Sequence, residues 1–471
     1  RLLIGPFGLA TAGVPVRIGG RDVMLFAQLG NILSDLDGLR AGLDWRGTSS
    51  LKPCLVHHNV FKKDSDLASR GVGYEEITCF EQNRFLSHTA ASLAETVDLL
   101  LAAKVRVSDG RMTKARYDDL EKMSGMSSNP HGVLADRDLR PYVDVPKVLT
   151  TDWCHNYLQD GCFTFESYAF FAACGITSKD LETFLSDKLW TFPAASEAKG
   201  KGLHRIFDCH RASSAQENEK VKGSCSELLS VYGLLRHFAE TKLTSSTSSR
   251  ASASSSPSSS RASATCSPGD AKWQSFFALC SSLDVILLAK RGVVDVDEAA
   301  NKLATLQREH LRLHQVAYGS GMVKPKHHWA LHVPSQMQRD RGVLDAFVVE
   351  RLHLRVKAIA NNVKNTRDYE RSVLSGLLTV HLRTPCVSHG LLVSTPLPEQ
   401  PSVAVANRMI CCGLRIHVGD VVFYHGMAGQ VKGCFCEAGA LFLLVTTFAL
   451  ESELSAHAAV WRVLNEKALW N

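Results

Sequence analysis

Two short segments, far apart in the chain, each carry half of what a tetrahedral zinc site needs. The first is Cys54-Leu-Val-His57. The second is His327-His328-Trp-Ala-Leu-His332, in which either His327 or His328 can partner His332. Histidines four apart share one face of a helix, and a Cys and a His three apart can share one ion from a tight turn. Either pair alone is an ordinary coincidence, because two ligands do not make a closed site. Together they impose a strong constraint, since a fold that uses both must press residues 51–60 against residues 324–336. The same two regions hold candidate acids. Asp35 ends an apolar run, and Glu350 follows the histidine segment.

With 471 residues the chain is long enough for two or three domains, and 45% hydrophobic against 21% charged content is globular. No apolar run reaches the length of a membrane span, so no membrane partner is expected. Fourteen cysteines without a disulfide-like framework suit a reducing compartment with thiols free for metal. The chain begins at Arg1 inside an apolar run and reads as a fragment or a processed product. Net charge is only +6. Between Lys324 and Arg383, however, 11 basic residues face 5 acidic ones. That surplus is a candidate phosphate-binding footprint, and equally an ordinary solvated basic face.

In chain order, Val14–Ile18 and Val23–Leu29 flank Gly19-Gly20 and read as a hairpin whose second strand runs on towards Asp35. Asp22 and Asp37 compete with Asp35, and each of the three also reads as a turn or cap residue. Apolar residues at helical spacing predict helices over 81–104, 112–124, 163–174, 178–189, 218–240, 271–290 and 295–317. Residues 147–162 read as a short strand followed by Asp152-Trp-Cys-His155. That Asp-x-x-His is a metal or acid/base candidate, or else a local helix cap. Residues 244–268 are Ser-rich low complexity and read as a disordered linker. Helices are also expected over 344–361, where Glu350, Arg351, Arg355 and Lys357 could place a carboxylate and cations beside a phosphate, and over 367–383. Residues 385–403 carry four prolines and read as a linker. Residues 406–471 turn to short β-like runs broken by Gly, as in a small SH3-like barrel.

Taken together, these segments resemble the DDE transposases of the Kyakuja-Dileera-Zisupton type. That family is related to the CACTA and hAT groups and, more distantly, to the V(D)J recombinase catalytic subunit. Ser34-Asp35-Leu36-Asp37-Gly38-Leu39-Arg40-Ala41 matches the family's Gly-Asp-x-Pro-Ala-Arg stretch. Cys54 and His57 match its Cys-x-x-Cys, Asp152 and His155 its Asp-x-x-His, and Lys324-Pro-Lys-His-His328-Trp-Ala-Leu-His332 its Lys-Pro-Lys-x-His-x-x-x-His. Glu350 stands for the last acid. The likeness covers residues 20–383 and leaves out the C-terminal module.

The resemblance implies an α/β fold, with an RNase H-like core split by a large, mostly α-helical insertion. Residues 1–80 and 321–384 would form the core, 81–320 the insertion, 385–405 a linker and 406–471 the barrel-like module. It implies Mg²⁺ or Mn²⁺ held by Asp35 and Glu350 for phosphodiester cleavage and strand transfer. It also implies structural Zn²⁺ held by Cys54, His57, His328 and His332. His58 or His327 remain alternative ligands, and Asp152, His155 and His327 secondary candidates. DNA is the implied partner, contacted by Lys324, Lys326, Arg351, Arg355 and Lys357, with a homo-oligomer admitted and a nuclear location. The family's first catalytic Asp is expected upstream of Asp35, and the chain reads as a truncated or degenerate copy with little cleavage. Two readings follow: a transposase-derived nuclease domain, catalytically incomplete, or a non-enzymatic nucleic-acid or chromatin-binding protein on a relic transposase scaffold.

Overall fold

The computed structural model describes residues 11–18, 20–26, 29–62, 73–186, 203–240, 269–346, 356–363, 367–383, 390–391, 394–411, 414–424, 427–438, 440–455 and 458–470. The chain divides into two compact units at residue 350/351. The first is mostly helical and the second mostly antiparallel sheet. Among the described residues neither a full RNase H sheet nor a closed barrel is present.

The N-terminal hairpin forms as the Gly-Gly turn demands. β1 (Val14–Ile18) pairs antiparallel with β2 (Arg21–Leu25), Ile18 opposite Arg21. The second strand stops there and does not carry on to Asp35. A separate strand, β3 (Ile32–Ser34), lies parallel to Leu149–Thr151, with Ser34 opposite Thr151. Asp35 and Asp152 therefore leave the carboxyl ends of two neighbouring parallel strands.

Arg339 holds this strand pair together. Its guanidinium donates to the carbonyl oxygens of Lys147 (2.7 Å) and Leu149 (3.0 Å). It also donates to Thr150 Oγ1 (2.6 Å) and to Asn31 Oδ1 (3.1 Å), and it forks onto Asp340. A planar five-donor group is the only side chain that reaches so many acceptors at once.

Helices start where caps and apolar periodicity agree. α1 (Leu36–Leu43) is capped by Asp35. α2 (Ala90–Ser108) opens on a Thr89–Ser92 capping box and buries Leu93, Val97 and Leu100 on one face. α3 (Lys114–Ser124) follows and stops at Gly125, whose φ of 81° is left-handed. Next comes a helix not expected from the sequence, α4 (Cys209–Asn218), capped by Asp208. The expected helix over 218–240 begins only at 225: α5 (Cys225–Phe238) starts at a Ser224–Glu227 capping box. The polar stretch 219–224 between them does not continue either helix. α6 (Ala271–Lys290) and α7 (Val296–Tyr318) run as expected.

The core of the helical layer is aromatic. Phe170 and Phe276 stack at 4.5 Å and 4°, and Phe163 lies 6.2 Å from Phe276. Cys162–Ala173, which carries Phe163 and Phe170, is buried along most of its length, so its polar members Thr164, Glu166 and Ser167 are buried too. Residues 344–346, where a helix was expected to start, are not helical, and residues 347–355 lie outside the described residues.

In the second unit, Tyr369–Arg383 is helical as expected. The Pro-rich stretch read as a linker contributes Thr395–Leu397 and Gln400–Ala406 to a six-stranded antiparallel sheet. Proline is tolerated there because Thr395–Leu397 is an edge strand and Pro401 faces no ladder partner. The long strands Met427–Glu437, Ala440–Ser455 and Ala458–Trp470 run as an open meander. Among the described residues Ala458–Trp470 pairs only with Ala440–Ser455, so the sheet does not close into the expected SH3-like barrel.

Replacing Arg339 by Ala removes six hydrogen bonds, two of them to the part-buried acceptors Leu149 O and Thr150 Oγ1. It should destabilise the first unit by about 2–4 kcal/mol in urea unfolding, with Arg339→Lys recovering less than half. An effect below 1 kcal/mol would show that the fork contributes nothing.

Candidate metal centre

The loop that carries Cys54 and His57 is fixed before any ion is considered. Its backbone pairs with residues 86–88: His58 N donates to Leu86 O (2.9 Å) and His88 N to Val56 O (2.7 Å). Buried Asn59 locks the same contact. It donates to Gly73 O (2.8 Å) and Arg84 O (2.9 Å) and accepts from Leu86 N (2.8 Å). The opposing half comes from Pro325–Ala330, a short helix that proline starts, and from His332 just beyond it. Trp329 Nε1 donates to Pro53 O at 2.7 Å and ties that helix to the loop next to Cys54.

In this frame Cys54 Sγ, one nitrogen each of His57, His328 and His332 all lie within 4.8 Å of one another. Cys54 Sγ is 3.3 Å from His332 Nε2, and His57 Nδ1 is 3.3 Å from His328 Nε2. Phe85 stacks on His57 at 5.0 Å and stands edge-on to His328 at 4.9 Å, closing the site with apolar surface. The amides of Val56 (3.4 Å) and His57 (3.3 Å) donate to Cys54 Sγ, which favours its thiolate form.

A buried Cys-His₃ cluster of this size can hold a metal such as zinc. The open alternatives resolve: His58 turns away to stack edge-on with His88 at 5.5 Å, and His327 faces His314 at 4.5 Å. His327 and His328 are neighbours on a helix, about 100° apart, so only one can face the site.

Burial sets the protonation states. It pushes the Cys54 thiol up to about 12 and, with His58 nearby, holds His57 down at about 4. Burial, then the neighbouring imidazoles, presses His328 and His332 well below the usual range. Near neutral pH the three imidazoles thus present free lone pairs, and only the thiol has a proton to lose.

The acids are arranged differently. Asp35 caps α1, accepting from Gly38 N at 2.7 Å. Asp37 pairs with Arg40, and Asp22 with Arg17 on the exposed hairpin. Asp152 is 3% exposed. It accepts from Cys154 N (3.3 Å), His155 N (3.2 Å) and Ala346 N (3.0 Å), and from His155 Nδ1. Those bonds occupy the four lone-pair positions of a carboxylate, so Asp152 acts as a cap that also orients His155. Asp35, Asp152, His155, Lys326 and Trp329 line one cleft at the strand ends.

Lys326 is not a free surface cation: its Nζ donates to His155 O (2.7 Å) and Gln159 O (2.9 Å). Lys324 is half-buried, and Lys357 is exposed in the second unit. Glu350, Arg351 and Arg355 lie outside the described residues.

Asn59, Trp329 and Arg339 escape sequence reasoning. Each acts through backbone acceptors that become neighbours only on folding. The Trp inside the His-rich stretch was the one visible signal. No protein-family model, no curated protein and no solved structure matches this chain.

The native protein should carry zinc at Cys54, His57, His328 and His332. His332→Ala should lose that ion, read by elemental mass spectrometry, and lower the thermal midpoint by roughly 5–10 °C. An unchanged zinc content would remove His332 from the site.

Zinc binding to Cys54 and its partners at pH 7.5 should release about one proton, from the thiol, as read by calorimetry in buffers of different ionisation enthalpy. His57 has a folded value near 4 against an ordinary 6.5. The unfolded chain therefore takes up more protons in that interval. Stability of the metal-free protein is then full above about pH 6.5 and falls on acidification towards pH 4. Release of two or more protons would mean that the imidazoles are charged before binding.

Proposed function

We propose that the first unit is a DNA-binding core of the Kyakuja-Dileera-Zisupton transposase type, clasped by a structural zinc ion. The observation that carries this reading is the convergence of Cys54, His57, His328 and His332 from segments 271 residues apart. The arrangement ties the strand-end cleft to the helix that follows the long insertion. A cation shared by distant segments converts metal affinity into folding free energy, which stabilises a core interrupted by a long helical excursion. The finer expectation, an RNase H-like core, is supported by the parallel pair β3 and Leu149–Thr151 with an acid leaving each strand at its carboxyl end.

Cleavage is a separate matter. Mg²⁺ or Mn²⁺ bound at such a cleft would supply Lewis-acid activation of a water and of the scissile phosphate. The described residues fit that group poorly. Asp152 has no lone pair left, and Asp35 is the only carboxylate they leave available at the strand ends. The chain's own groups therefore support binding and positioning of a nucleic acid, with His155 held by Asp152 at the cleft. This agrees with the alternative of a non-enzymatic nucleic-acid-binding protein on a transposase scaffold, and no hydrolytic step is assigned.

Fluorescence anisotropy with duplex DNA tests the reading. Affinity should fall linearly in log–log form with salt. The variant Lys324→Ala should reduce the slope by about one. No binding at low salt would remove the DNA-binding reading, and a slope unchanged by the variant would remove Lys324 from it. Mn²⁺-dependent nicking of plasmid that Asp35→Asn abolishes would instead establish the nuclease.

A further inference from the structure

A second group of metal-ligating side chains lies on the far side of the same short helix. His327, next to metal-facing His328, turns towards His310 and His314, which stand four apart on one face of α7. Glu166, from Cys162–Ala173, completes the group: its Oε2 is 2.6 Å from His310 Nε2. All four side chains are buried, at 1% for Glu166, 5% for His310, 3% for His314 and 3% for His327.

Polar groups this deep are normally paired. Here Glu166 Oε1, His314 Nδ1 and His327 Nε2 have no hydrogen-bond partner among the described residues. Unpartnered polar atoms gathered in one buried place can serve as ligands to a cation. An ion 2.0–2.1 Å from three imidazole nitrogens in tetrahedral array sets ring centroids about 5 Å apart. The three rings here are separated by 4.5, 5.9 and 6.0 Å. In the Cys-His₃ site the corresponding separations are 4.6, 5.1 and 5.3 Å. The second set is slightly wider and, metal-free, is closed by the Glu166–His310 hydrogen bond. His327 Nδ1 accepts from Lys324 N at 3.0 Å and also lies 3.3 Å from Lys324 O, so an ion at Nε2 requires the other tautomer, in which Nδ1 gives up the amide bond and donates to that carbonyl.

We propose that Glu166, His310, His314 and His327 form a second structural metal site, for a divalent first-row transition ion such as zinc. Entry of the ion displaces the Glu166–His310 hydrogen bond and takes up the orphaned atoms. Three imidazoles and a carboxylate, with no thiolate, suit zinc or another borderline ion. Pro325–Ala330 then carries ligands for two ions. His328 faces the Cys54 loop, and His327 faces the helical layer. The insertion and the strand-end cleft would be bolted to one another through a single turn of helix.

The full chain, stripped with chelator and reloaded with Zn²⁺, should bind two ions by elemental mass spectrometry. Cys54→Ser and His314→Gln should each bind one, and the double variant none. Glu166→Gln serves as a second variant if His314→Gln fails to fold by circular dichroism. With Co²⁺, the ion that remains in Cys54→Ser should lack the sulfur-to-metal charge-transfer band. One ion in the wild type, abolished by Cys54→Ser and untouched by His314→Gln, would overturn the second site and leave the first standing. One ion abolished by His314→Gln and untouched by Cys54→Ser would do the reverse to the first.

Discussion

Four side chains with lone pairs aimed at one point have no reason to be buried together unless a cation can be there. Cys54, His57, His328 and His332 are that arrangement. Without an ion the group is costly, because it holds a neutral thiol and three uncharged imidazoles away from water with few partners. With an ion, the same burial strengthens every bond to it. The rest of the first unit is placed by this junction. The loop at 54–60 is fixed against 84–88, and the helix at 325–330 against Pro53. The strand pair behind them is held by Arg339, near the end of the next helix, Val333–Asp340.

The junction explains why the polar interior of this unit is so rich. Arg339, Asp152, Asn59 and Lys326 all bond backbone groups in loops and at helix or strand ends, where no regular element supplies a partner. The basic excess over 324–383 is accordingly less of a surface property than its count implies. Lys326 and Arg339 are spent on carbonyl oxygens, and Arg341 pairs with Asp297 at 2.5 Å.

The aspartates show the same shift of meaning between chain and fold. In sequence, Asp35 and Asp152 each read as a metal ligand or a cap. Folded, both cap helices, and the parallel register that sets Ser34 opposite Thr151 makes them neighbours. Asp152 is saturated by its four donors, so its role is to hold a helix start, the 346 amide and the His155 ring. Asp35 keeps capacity to spare.

The sequence by itself determined the ligand types and their spacing, the helix faces and the Gly-Gly hairpin, because these depend on neighbours within a few residues. Local chemistry also settled where helices start, as the capping box at Ser224 and the cap at Asp208 show. Tertiary structure alone decided which of the adjacent pairs His57/His58 and His327/His328 faces the Cys54 site. It also turned Lys326 inward, laid Arg339 across the backbone of 147–150, left the described C-terminal strands an open sheet, and gathered Glu166 with His310, His314 and His327. In each case the outcome depends on which backbone or side chain arrives from more than a hundred residues away or from a neighbouring strand. Spacing along the chain carries no information about that arrival.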